Sequence, residues 1–192
     1  MLQKLITMLL IAGFIILGYF IFSIARDSYR GSRIIPTKPN KKLDKPLFPV
    51  FETKNLSGDL IKIPEDLEAN YNLMVFAFYQ NQQNTVNTWI PYLEPLVHQG
   101  KFQYYELPTV GDFSLVGQKY LDGIMNAGIP DKEMKNRTLT VYKDREKFLE
   151  GLGIKDFSRV YLVLIDKQGN VLKVEEGDYS FNKLKSITDI IK

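Results

Sequence analysis

The sequence predicts a layered α/β domain standing behind one N-terminal transmembrane helix. Three observations predict it. Leu73 to Tyr79 (LMVFAFY) is a continuous apolar run, as expected of a strand in the middle of a sheet covered on both faces. Strand-like and helix-like patterns alternate around that run and close with a hairpin and a last helix. Leu5 to Ala25 is a stretch of 21 residues without a charge.

That first stretch, LITMLLIAGFIILGYFIFSIA, fits a membrane anchor, since about 20 apolar residues cross the hydrocarbon core as a helix. A cleaved signal peptide is the rival reading, because Ser23-Ile24-Ala25 offers small residues at the right spacing. The run exceeds the roughly 7–15 residues usual for such signals, and only Lys4 precedes it; both features favour an uncleaved anchor. Residues 1–4 are then a short tail. Residues 26–45 carry seven basic and two acidic side chains, so the positive-inside rule places the C-terminal domain on the cytoplasmic side or in an equivalent compartment.

Residues 26–47 read as a linker broken by Gly31, Pro36, Pro39 and Pro46. Its charge suits a solvated spacer, or contact with anionic lipid head groups. The bilayer is therefore the first expected partner. The chain as a whole has net charge +3, but residues 46–192 hold 17 basic and 20 acidic side chains. A domain of net −3 is not a polyanion binder. Tyr104, Tyr105 and Lys101 are too few for a nucleic-acid stacking platform, so no nucleic acid is expected.

The domain spans 48–192. Phe48–Phe51 and Leu60–Pro64 flank a Gly58-Asp59 turn and read as two short extended pieces. After the Leu73–Tyr79 strand, a helix is expected from Asn84 or Thr85, with Val86, Trp89, Ile90, Leu93, Leu96 and Val97 at three- and four-residue spacing. Phe102 to Leu107 is a second strand. Ser114 to Met125 is helical, with Leu115, Val116, Tyr120, Leu121 and Ile124 on one apolar stripe expected to seek the core. Gly128-Ile129-Pro130-Asp131 is a stop and restart. Thr138 to Tyr142 is rich in β-branched and aromatic residues and reads as a strand. Asp144 to Leu152 is a short helix ended by Gly153. Val160–Ile165 and Val171–Glu175 form a hairpin around Asp166–Asn170. Ser180 caps a final helix whose Phe181, Leu184, Ile187 and Ile191 are expected to face inward.

Buried strand, polar turn, then a helix with an internal proline (Pro91) is the layout around the redox site of thioredoxin-like proteins. From about residue 48 to 192 the order of elements resembles that superfamily. The resemblance implies a thioredoxin-like central sheet flanked by helices. A narrower likeness rests on Met125–Asp131, Arg137–Tyr142, Asp144–Leu149, Val160–Asp166 and the Trp89, Pro91-Tyr92-Leu93 helix. These segments resemble the mitochondrial ATP synthase assembly-factor family. That likeness implies a chaperone for the synthase's membrane sector, hence a membrane-protein client as partner.

The chain departs from the redox members where their chemistry lies. It contains no cysteine, and thiol–disulfide exchange needs a thiolate sulfur. Counting back from Pro91, the resemblance puts Gln83 and Val86 at the two sulfur positions. It places the cis-proline of redox members near Val160, where there is no proline.

Other constellations favour ordinary structural roles. His98 is the sole histidine and lies near a helix C-terminus, where a cation complements the dipole; one histidine makes no metal site. Glu175 and Glu176 point to opposite faces of a strand, so with Asp178 they form a solvated edge rather than an acid/base pair. No phosphate loop or nucleophile elbow is present. Asn55-Leu56-Ser57 and Asn136-Arg137-Thr138 fit the glycan acceptor pattern, which a cytoplasm-facing domain does not use. No cofactor, metal, small-molecule substrate or catalytic residue is expected. The polar segment Gln80, Asn81, Gln82, Gln83 and Asn84 stands where redox relatives dock an extended chain. Its amides both donate and accept, which makes it the candidate partner-docking loop, against an ordinary exposed loop. The expectation is a membrane-anchored, redox-inactive assembly factor or chaperone. A scaffold subunit at the membrane, or a non-thiol enzyme on the same fold, are the competing readings.

Overall fold

A computed structural model describes residues 46–191. The 5–25 anchor and the linker up to residue 45 lie outside the described residues. Among the described residues no helix is long and apolar enough to cross a membrane.

The central sheet is built on β3 (Tyr71–Ala77) and β5 (Tyr161–Asp166), whose side chains alternate between two cores. Met74 and Phe76 of β3 and Val163 and Ile165 of β5 face one core. Leu73 and Val75, with Leu162 and Leu164, face the other. Two buried faces favour apolar side chains, which is why β3 is apolar from Leu73 to Ala77 and β5 is mostly aliphatic before Asp166; Asn72 is a buried polar exception in β3. Parallel β4 (Gln103–Pro108) lies beside β3, and β6 (Val171–Glu176) lies antiparallel beside β5. The order is β4-β3-β5-β6, with β5 antiparallel to β3.

One face is covered by α1 (Gln83–His98) and α5 (Phe181–Thr188), through Val86, Trp89, Leu93 and Ile187. The opposite face is covered by the hairpin of β1 (Phe51–Lys54) and β2 (Leu60–Ile63) and by α4 (Arg145–Leu149). There Phe51 meets Phe148 edge-on at 4.9 Å between ring centres. A 3-10 turn (Glu150–Leu152) extends α4, and Gly153 ends it at φ 69°, a left-handed conformation that glycine adopts without a Cβ clash. Between β4 and α4 lie α2 (Leu115–Gly128) and α3 (Lys132–Arg137). Ser114, Asp131, Asp144 and Ser180 cap α2, α3, α4 and α5 by accepting from backbone N–H groups.

Four expectations change. Thr138–Tyr142 is not a continuous strand. Thr138 and Val141 make isolated parallel bridges to Glu106 and Thr109, and Leu139 pairs with Asn55. The chain there extends the β4 edge but is shared with the hairpin on its other side. The helix after β3 begins at Gln83, preceded by a 3-10 turn over Gln80–Gln82. Phe181 is 69% exposed, because the first residue of α5 projects beyond the sheet, while Leu184, Ile187 and Ile191 do pack inward. The stripe of α2 also faces outward: Leu115 and Val116 are each 77% exposed, and α2 buries no residue fully.

Candidate functional site

The loops after parallel strands β3 and β4 emerge at one end of the sheet. This end holds the start of α1 and the approach to α2. Its floor is held by Arg145. The guanidinium donates through Nε to the Thr109 carbonyl and through Nη2 to the Phe78 carbonyl, both at 2.7 Å. It also lies 5.0 Å from the centre of the Tyr79 ring, a cation–π contact. One side chain thus ties together the carbonyls that follow two neighbouring strands.

The segment Gln80–Asn84 is not a loop. It is a 3-10 turn running directly into the first turn of α1. Gln82 is buried, and its amide is spent inside the protein. Its Oε1 accepts from the Phe78 and Tyr79 N–H groups at 2.7 and 3.3 Å, and its Nε2 donates to the Phe157 carbonyl at 2.8 Å. Gln82 therefore builds the turn and is not available to a partner. Gln80, Asn81, Gln83 and Asn84 are exposed. The Gln83 amide reaches Asn87 Oδ1 at 3.1 Å. The first turn of α1 has no acidic residue, so the N–H end of a 16-residue helix is left positive by its dipole without a charged side chain.

The two positions implied for sulfur diverge. Gln83 is exposed on the first turn, whereas Val86 is 1% exposed in the core beside Trp89. Val160, implied near the cis-proline position, is buried, and its carbonyl accepts from Gly177 N–H at 2.8 Å.

A polar cluster that the sequence reading missed lies along α1 and β4. Glu94 accepts from the Tyr104 hydroxyl at 2.6 Å and from both Arg137 terminal nitrogens, at 2.8 and 3.3 Å. The guanidinium also sits 4.4 Å from the centre of the Tyr104 ring. Burial raises the Glu94 pKa, but the Tyr104 hydroxyl and Arg137 outweigh it and hold the carboxyl below its ordinary value. Glu106 goes the other way: burial pushes its pKa up, against the opposing pull of Gln83 and Arg137. The signal that could have found this cluster is Glu106 itself, a carboxylate among apolar strand residues. Its neighbours Gln83, Glu94 and Arg137 come from other elements of the chain, and spacing does not reveal them.

Other candidates resolve into structure. Glu175 meets Ser186 and Lys173, while Glu176 pairs with Arg159, so the two carboxylates do diverge. His98 is exposed in the last turn of α1, 3.8 Å from Glu94. Asn55 is buried, and Asn136 accepts from Ser57. Among the described residues no three His, Asp or Glu side chains converge to hold a metal ion. Two open hollows, of about 440 and 510 Å³, lie at the opposite end of the sheet around Asn70 and Tyr71.

No protein-family model and no curated protein matches this chain. Solved structures do. BsSco, described as a member of the Sco family of cytochrome c oxidase assembly proteins, superposes with a TM-score of 0.53 at 17% identity, covering 80% of this chain and 96% of its own. A thiol-disulfide oxidoreductase from Bacteroides fragilis superposes at 0.51 with 12% identity, covering 76% of this chain and 99% of that one. The fold is thioredoxin-like. The start of α1, where the resemblance implied a thiol pair, carries exposed amides. With no sulfur nucleophile in the whole chain, its own side chains cannot carry out thiol–disulfide exchange.

Proposed function

We propose that this chain is a membrane-tethered, redox-inactive thioredoxin-like protein that recognises polypeptide and assists assembly of a membrane complex. The observation that carries the reading is the start of α1, where uncharged amides on a rigid turn replace sulfur. Exposed Gln80, Asn81, Gln83 and Asn84 can donate to and accept from an extended backbone. Arg145 and Gln82 hold the surface beneath them in one geometry, which lowers the ordering cost of binding. The uncharged 5–25 segment supports a tether, and a tether raises the local concentration of a weak binder beside its client. The resemblance of Met125–Asp131, Arg137–Tyr142, Asp144–Leu149, Val160–Asp166 and the Trp89 helix to the ATP synthase assembly-factor family makes that membrane sector the first client to test. We read the domain as a binder and not an enzyme, on the cytoplasmic or matrix-equivalent side.

The exposed stripe of α2 favours a second reading, a scaffold subunit held permanently by an apolar contact. Photo-crosslinkers placed at Asn81 and at Val116 in intact membranes separate the two. Transient adducts from Asn81 with newly made membrane subunits support assembly; one stoichiometric adduct from Val116 supports the scaffold. Asn81→Ala with Gln83→Ala is expected to lower client recovery about tenfold while changing stability by less than about 0.5 kcal/mol. Unchanged recovery removes the docking surface. Protease protection in sealed vesicles tests the side of the membrane.

A further inference from the structure

We propose that Gln83 and Asn87 act as one fixed donor–acceptor pair that reads the backbone of a single residue in an extended client. Gln83 Oε1 accepts that residue's N–H, and Asn87 Nδ2 donates to its carbonyl. The inference rests on the docking role proposed above and names the chemistry that role would recognise.

Residues four apart on a helix are surface neighbours, and these two are exposed on the first turns of α1. Gln83 Nε2 donates to Asn87 Oδ1 at 3.1 Å. That bond gives each amide an orientation, because a side-chain amide has one donor nitrogen and one acceptor oxygen. With Gln83 Nε2 and Asn87 Oδ1 joined, an acceptor (Gln83 Oε1) and a donor (Asn87 Nδ2) are left over. Among the described residues neither atom has a partner.

A contact with the sheet favours the same orientation. The Gln83 amide stabilises the carboxylate of Glu106 on β4. An ionised carboxylate only accepts, so Gln83 turns Nε2 towards it and Oε1 away. Nε2 carries two hydrogens, enough for Glu106 and Asn87 together. Turning the amide over would set Oε1 against the carboxylate. The preceding residue is also held: Gln82 bonds to Phe78, Tyr79 and Phe157 and fixes where α1 begins.

In an extended chain the N–H and C=O of one residue point to the same side, which is how facing residues of antiparallel strands exchange both bonds. A neighbouring acceptor and donor answer that pattern. Such recognition needs no charge, and residues 83–88 carry none. Main-chain bonding of this kind supplies affinity whatever side chains the bound segment carries.

The test uses the full chain, labelled with nitrogen-15 in detergent micelles. The probe is an uncharged heptapeptide of Ser, Val, Thr and Ala, acetylated and closed by a methylamide, so that it has no primary amide. It is expected to shift the Asn87 side-chain amide resonances saturably. Asn87→Asp keeps an oxygen for Gln83 but replaces the outward donor with an acceptor. Gln83→Leu removes the outward acceptor. Each should weaken binding about three- to tenfold, the worth of one neutral hydrogen bond. The fully N-methylated peptide should lose at least as much. Equal binding of the N-methylated peptide, or of the parent peptide to both variants, overturns the inference. Binding that shifts only other surfaces also overturns it, while leaving a docking role in place. No binding at all overturns it too, and the Asn81 crosslink in membranes then decides the assembly reading separately.

Discussion

Helices α1 and α2 have much the same amphipathic pattern and opposite orientations. In α1 the apolar stripe faces the sheet, and Val86, Trp89 and Leu93 are at most 1% exposed. In α2 the stripe of Leu115, Val116, Tyr120 and Ile124 faces out. What holds α2 down is polar. Tyr142 donates its hydroxyl to Asp122 at 2.6 Å, and Asn126 donates to the Leu56 carbonyl at 2.7 Å. Gln118 turns back to the Phe113 carbonyl at 2.8 Å. An apolar periodicity therefore says that a helix has a greasy side; the sheet decides whether that side is inside. α1 lies across apolar β3 and β5, whereas α2 meets the body through hydrogen bonds at Tyr142 and at the Leu56 carbonyl.

The largest expected effect falls on α1. Trp89 is fully buried, donates its indole N–H to the Gly177 carbonyl at 2.9 Å and meets Tyr179 edge-on. Trp89→Ala removes that burial and that hydrogen bond and should cost about 3–5 kcal/mol. The check is a urea unfolding curve, in which a loss under 1 kcal/mol would mean that α1 is not a core helix.

A smaller effect tests the polar side of α1. Arg137→Met keeps an aliphatic stem over Tyr104 but removes two bonds to Glu94, at a cost of about 1–3 kcal/mol near pH 7. The pH dependence has a defined sign. The folded Glu94 pKa lies below its unfolded value, so its contribution is fully present above that unfolded pKa and is lost as pH falls through the folded one. The difference between parent and variant should therefore narrow as the pH is lowered below about 4. A gap that stays constant from pH 7 to pH 3 would detach the effect from Glu94.

Much of the fold was legible because its signals are local and the sheet's demands are simple. Continuous apolar strands, the Ser180 cap and the Gly153 stop can each be read within a few residues. The candidate site was legible only in position. That residues 80–84 stand at the end of β3 follows from order along the chain; that Gln82 turns inward depends on Phe157, 75 residues away. The Glu94–Tyr104–Arg137 cluster and the outward stripe of α2 failed for the same reason. Each depends on which surface a helix meets, and helix periodicity carries no information about its neighbour.

The smallest expected effect returns to α2 and decides the comparison. If polar contacts fasten this helix, Leu115→Ser with Val116→Ser should change stability by no more than about 0.5 kcal/mol, because exposed side chains lose little contact on truncation. Tyr142→Phe should cost more, about 1 kcal/mol, because it leaves Asp122 without its hydroxyl donor. The order of the two variants is the discriminating result. A stripe that packs against the body in solution would reverse it, since two buried aliphatic side chains contribute several kcal/mol. If the expected order holds while Leu115→Ser alone suppresses the crosslink from position 116 in membranes, the apolar face of α2 is a contact surface and takes no part in folding.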